Sequence, residues 1–106
     1  MRKTHTLIQV AVTLAANPDG THWGYVAAQQ AGIRPGALYP ILTRLVAAGW
    51  LADGWEDPAS ISGRPPRRYY QLTKLGKAEI AALLDEARQD PRFAAILTNQ
   101  QEGKTS

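Results

Sequence analysis

The sequence has no cysteine. That excludes disulfides, thiol nucleophiles and thiolate metal sites, and it agrees with a reducing cytosol. No apolar run approaches the ~20 residues of a membrane span, and the basic start from Met1 to His5 leads into threonine and glutamine, not a signal-peptide core. A soluble, cytoplasmic chain without a membrane partner is expected. The two histidines, His5 and His22, lack a metal-ligand spacing, and His22 reads as a surface residue at a helix start. No serine sits in a Gly-x-Ser-x-Gly turn. Gly76-Lys77 lacks the earlier glycine of a phosphate loop, Gln71 standing in its place. Asp85 and Glu86 are neighbours on a helix, where side chains diverge by about 100° per residue, so they make a poor acid/base pair. Neither catalysis, nor a metal, nor a cofactor is expected.

Acid is also absent from residues 58–78, where Arg64, Arg67, Arg68, Lys74 and Lys77 stand without an Asp or Glu. The net charge is +3, and it is unevenly spread: residues 1–78 carry nine Lys/Arg against four Asp/Glu, residues 79–106 three against five. A one-signed patch attracts polyanions, nucleic acid above all. The alternative is a solubilising surface.

What is present is helical periodicity. At 106 residues the chain suits one domain with a modest core. Leu7, Val10, Ala11 and Leu14 place one face of a first helix over residues 3–16. Thr21 is positioned to cap a second helix, with Tyr25, Val26 and Ala27 available to pack inward, and Gly32 stops it. A third helix begins with Pro35 at its first position and buries Leu38, Ile41, Leu42 and Leu45. Pro40 lies inside it, but the carbonyl it displaces belongs to Gly36, still in the first turn, so the helix continues. After Gly49 a strand with Trp50 and Trp55 anchored runs to an Asp57-Pro58 turn, and Arg67 to Thr73 returns as a second strand. Thr73 caps a fourth helix carrying Leu75, Ile80, Leu83, Leu84 and Ala87 until Asp90-Pro91 breaks it. Phe93, Ile96 and Leu97 suggest a short further helix or turn.

Two helices joined by a short glycine turn, then a hairpin, make a winged helix-turn-helix. The expected fold is mainly α with a β-hairpin wing. The winged helix-turn-helix body covers residues 1–73, a C-terminal dimerisation helix region 74–98, and a flexible tail 99–106.

The third helix leaves Gly36, Ala37, Pro40, Thr43, Arg44 and Ala47 pointing outward. Small residues let a helix sink into a major groove about 12 Å wide, where Thr43 and Arg44 meet bases or phosphates. Tyr39 flanks this face as either a phosphate donor or a partly buried core ring. In the wing, Gly63, Pro65 and Pro66 shape the tip, and Ser62, Arg64, Arg67 and Arg68 are candidate DNA contacts. Gly63-Arg64-Pro65 resembles the core of minor-groove hooks, thin enough for a narrow A·T groove. Arg67 and Arg68 face opposite sides, one toward phosphate, the other covering the hairpin or pairing with an acid. Tyr69 and Tyr70 likewise diverge, so one anchors the core. In the fourth helix Ile80, Leu83, Leu84 and Ala87, joined by Ala81 and Ala82, form a broad apolar arc. It packs either against a second copy and its first helix at Leu7, setting two recognition helices ~34 Å apart, or only on its own first helix.

Gly24-Tyr25, residues 36–51 and residues 67–80 resemble the PadR-type winged-helix transcriptional regulators. The most specific match is Leu38-Tyr39-Pro40 within the recognition helix, followed by the Tyr-x-Leu-Thr-x-x-Gly pattern from Tyr70 to Gly76. The resemblance implies a homodimeric repressor with the recognition helix in the major groove, the wing along the backbone or minor groove, and dimerisation through the helix after the wing. Two departures stand out. The chain ends soon after that helix, as in short members, and residues 74–106 hold no tryptophan and only Phe93. Several short members bind flat aromatic drugs between tryptophans of the dimer helix, a segment that has no tryptophan here; Trp23, Trp50 and Trp55 read instead as core.

The expected function is a sequence-specific regulator of double-stranded DNA, a homodimeric repressor of neighbouring genes at an inverted repeat, cytoplasmic and nucleoid-associated. The competing readings are a winged-helix module for protein or RNA contact and a ligand-gated regulator with a small-molecule pocket. The wing charge argues against a protein-binding module.

Overall fold

Thr4 begins the first helix by accepting the Leu7 N–H at 3.1 Å, a side-chain cap that satisfies one of the orphan donors of the first turn. From there the computed structural model describes residues 1–97. Its elements are α1 (His5–Ala15), β1 (His22–Trp23), α2 (Gly24–Ala31), α3 (Pro35–Ala47), β2 (Leu51–Trp55), β3 (Arg68–Leu72) and α4 (Lys74–Arg88). A 3-10 turn at Pro58–Ser60 follows the Asp57 cap. Residues 91–93 form a turn and residues 94–97 are helical. The tail expected at 99–106 lies outside the described residues. None of the described helices is long and apolar enough to cross a membrane.

Helix α1 is central, packing against α2, α3 and α4 and burying Leu7, Ile8, Val10, Ala11 and Leu14. Helix α2 ends at Gly32, whose φ of +71° is a left-handed conformation that glycine adopts without a steric penalty. The Ile33 N–H then donates to the Ala28 carbonyl and turns the chain into α3. Pro35 opens α3, Pro40 lies within it without breaking it, and Leu38, Ile41, Leu42 and Leu45 are buried. The expected two-helix turn is therefore present, with the third helix oriented by its own apolar stripe.

The sheet is antiparallel in the order β1-β3-β2. Leu51 pairs with Leu72 and Trp55 with Arg68. Side chains alternate between faces, so Tyr70 and Leu72 enter the core, while Tyr69 turns the other way. There it meets the Trp23 ring edge-on at 5.8 Å and packs over Gly54. Thr73 caps α4 by accepting the Gly76 N–H at 2.9 Å, and its own hydroxyl donates to the Gly49 carbonyl at 2.6 Å. Gly76 is pressed against the backbone of Trp50: a Cβ there would lie 1.8 Å from the Trp50 carbonyl oxygen.

The structure corrects expectations at five residues. Thr21 does not cap α2; its hydroxyl accepts from Gln71 Nε2, because the segment after it pairs with β3. That pairing turns His22 inward, so it is 6 % exposed and not a surface residue. Tyr25 and Leu75 are about half exposed, at 49 % and 50 %; Leu75 sits one position off the buried stripe that starts at Gly76. Trp55 is 63 % exposed, because β2 outruns the helices and only its Leu51 end lies over the core.

Candidate nucleic-acid interface

Gly36, Ala37, Tyr39, Pro40, Thr43 and Arg44 are all exposed along one side of α3. Arg34, exposed just before the helix, extends this side. Tyr39 is 44 % exposed and lies across the start of α2. A Cβ on Gly24 would come within 2.5 Å of the Tyr39 hydroxyl, so glycine there lets the ring settle with its edge in solvent. Trp23 precedes α2 without capping it through a side chain. No side chain therefore caps the first N–H groups of α2, the positive end of the helix.

Between the start of α2, Tyr39 and the inner face of the wing runs a cleft of about 440 Å³. Tyr25, Trp55, Arg67, Arg68 and Tyr70 complete its walls. The Arg67 guanidinium lies 5.3 Å from the centroid of the Tyr25 ring, and that of Arg68 covers both Trp55 and Tyr70. These stacked cations are held in place by ring faces.

The wing is a charge-paired structure. Arg64 donates both terminal nitrogens to Glu56, at 2.6 and 2.9 Å, and the Arg67 N–H donates to the same carboxylate at 2.9 Å. Arg64 foremost, with Arg67 behind it, holds the Glu56 carboxyl down to about 2. Arg68 pairs with Asp53 across the strands, and Lys77 with Asp19. The cations of residues 58–78, uncompensated along the sequence, are therefore largely compensated in space. Among the described residues Arg67 and Lys74 have no carboxylate partner, and neither do Arg34 and Arg44. Ser62 is exposed near the tip, where Gly63 takes a φ of +77°. Of the two adjacent arginines, Arg68 is the one that pairs with an acid.

The PadR-like family of transcriptional regulators has a sequence model that matches residues 26–82, the span from α2 through the wing into α4. The chain belongs to the PadR-like family. Membership makes it a transcriptional regulator and bears out the reading that it is not an enzyme. Among solved structures it is similar to smu.1704 from Streptococcus mutans UA159, with 27 % identity over 81 % of this chain and 82 % of that one and a TM-score of 0.62. A PadR family regulator from Eggerthella lenta DSM 2243 shows 22 % identity over 95 % and 82 %, with a TM-score of 0.58. Bacillus subtilis PadR, solved in complex with operator DNA, shows 19 % identity over 74 % of this chain and 46 % of that one, with a TM-score of 0.59. No curated protein matches.

In this PadR-like chain, Leu7, Ile80, Leu83, Leu84 and Ala87 lie in the core of the single molecule, between α1 and α4. The exposed side of α4 carries Leu75, Ala78, Ala81 and Ala82. Sequence reasoning missed Gly24, Tyr25, Arg34, Glu56 and Trp55 as parts of the interface. For Tyr25 and Gly24 a signal existed in the family resemblance. Glu56 carried none, since its role depends on a hairpin register that joins residues eight and eleven positions apart.

Proposed function

We propose that the chain binds double-stranded DNA by seating α3 in the major groove, as a homodimeric repressor at an inverted repeat, in the cytoplasm. The observation that carries this reading is the exposed side of α3. Gly36, Ala37 and Pro40 are small enough to admit the helix to the groove floor, Thr43 and Arg44 are free to reach base edges, and the nearby cations stand outside that stripe. Arg67, stacked on Tyr25, and the Tyr39 hydroxyl beside the uncapped start of α2 flank it as phosphate contacts. Arg68, held by Asp53, is a positioning element of the wing. Arg64 and Ser62 follow the backbone or minor groove, Arg64 exchanging Glu56 for the DNA. The operator complex of the Bacillus subtilis relative, which shares the fold, supports DNA as the partner.

The dimer rests on α4, whose exposed alanines leave room for a close helix–helix approach. It places two α3 helices about one turn of DNA apart. Footprinting on the DNA that surrounds the protein's own gene tests the whole reading. A protected inverted repeat is the expected result. Uniform, sequence-independent protection or none at all would overturn it.

A further inference from the structure

A second cavity lies on the far side of α2, between the C-terminal half of α1, the loop that follows it, and β1. Its volume is about 360 Å³, inside the roughly 300–1,000 Å³ of small-molecule sites. Val12, Ala16, Val26 and Ala27 supply an apolar wall, and His22, Thr21 and Trp23 supply polar atoms. None of the lining residues is charged.

His22 determines what the cavity can recognise. Its Nε2 lies 3.0 Å from the backbone carbonyl of Asn17. A carbonyl only accepts, so the proton sits on Nε2 and Nδ1 carries a lone pair. Burial pushes the ring below its usual value, against the pull of that carbonyl, and keeps it neutral near pH 7. Nδ1 has no hydrogen-bond partner among the described residues, yet no side-chain polar atom there is sealed away unpartnered. Nδ1 therefore keeps some open surface, and His22 is one of the residues that line the cavity. Thr21 accepts from Gln71, so its own O–H remains available to donate. Thr13, by contrast, has spent its hydroxyl on the Gln9 carbonyl.

We propose that this cavity is a binding site for a small neutral ring compound that donates one N–H or O–H to His22 Nδ1 and lies against Val12 and Val26. Neutrality follows from the uncharged lining, which cannot offset the cost of stripping water from an ion. The site lies apart from the α3 face, but the two share one wall: Trp23 borders both this cavity and the cleft beside Tyr39. Trp23 also precedes α2 directly and meets Tyr69 of the wing. A compound that shifts Trp23 thus shifts the start of α2 and the wing together. That regulatory consequence rests on the DNA-binding reading; the binding itself does not.

The test is a two-dimensional ¹H–¹⁵N NMR titration of the whole chain without DNA, so its failure would leave the DNA reading intact. Indole is the probe and 1-methylindole, which has no N–H to donate, is the control. Indole is expected to give saturable shifts at the Trp23 side-chain N–H and at the amides of Val12 and Val26, with 1-methylindole about tenfold weaker for the lost hydrogen bond. Val26→Phe fills the cavity and is expected to abolish both titrations while the spectrum stays dispersed. Ala16→Phe, on the exposed end of α1, serves the same purpose if Val26→Phe does not fold. No saturable shift with indole, equal affinity for the two probes, or undiminished binding in the folded filled variant would each overturn the proposal.

Discussion

Arg44 and Glu56 illustrate two ways a charged residue serves such an interface. Arg44 stands exposed on α3 without a carboxylate partner among the described residues, so its donors are free for a base edge. Arg44→Ala is expected to lower affinity for the specific site by ~1–3 kcal/mol and to relax base preference at one position. Competition binding on a panel of mutated operators reads this, and an equal loss on every sequence would reduce Arg44 to a phosphate contact. Glu56 works from the opposite direction, closing the wing tip on Arg64 and the Arg67 N–H. Its carboxyl is held down from 4.5 to about 2. A depressed carboxyl contributes stability that is whole above the unfolded value and is lost as pH falls through the folded one. The wing clasp is therefore expected to stay closed at pH 4 and to open toward pH 2, which carboxyl-carbon NMR of Glu56 would follow. A midpoint near 4.5 would show the clasp to be absent in solution.

The elements meet at a few backbone contacts, and the tightest is α4 against the turn after α3. Gly76→Ala would drive a methyl into the Trp50 carbonyl, a backbone atom that cannot rotate away. A loss of about 1–3 kcal/mol is expected, measurable as a lower thermal midpoint. An unchanged midpoint would mean that α4 can slide. Much of this architecture was readable beforehand. Helices α1, α3 and α4 declare themselves through apolar residues three and four apart, and the Pro35 and Thr73 starts follow local backbone rules, while the Thr4 cap went unread, the first helix being expected to begin one residue before it. Strand β1 declares nothing, because two residues become a strand only through a partner near Tyr70. Once it forms, Thr21 cannot cap α2 and His22 turns inward. Trp55 fails for a related reason: alternation assigns a side chain to a face of the sheet and says nothing about where the helices beneath that face end. The exposed side of α3 was legible because the buried stripe defines its opposite. The ion pairs were not, since Asp19, Asp53 and Glu56 meet their cations only through tertiary register.

For the whole molecule, the proposed symmetry at the operator depends on dimerisation. Light scattering at micromolar concentration is expected to give twice the chain mass, and Ala82→Glu, on the exposed side of α4, to halve it while the far-UV circular dichroism spectrum stays that of the folded chain. A monomeric wild-type chain would end the inverted-repeat reading. Salt dependence is the second global property. Each phosphate neutralised adds about 0.9 to the slope of log K against log salt. Arg64→Ala removes one such contact, so it is expected to flatten that slope by about one per subunit; an unaltered slope would show that Arg64 stays away from the backbone. The paired carboxylates at residues 19, 53 and 56 have a further meaning for the search along a genome. They are counterions tethered to the chain, and no change of medium dilutes them. A regulator that carries its own counterions lingers less on arbitrary sequence, and so reaches its operator by many short visits instead of a few long ones.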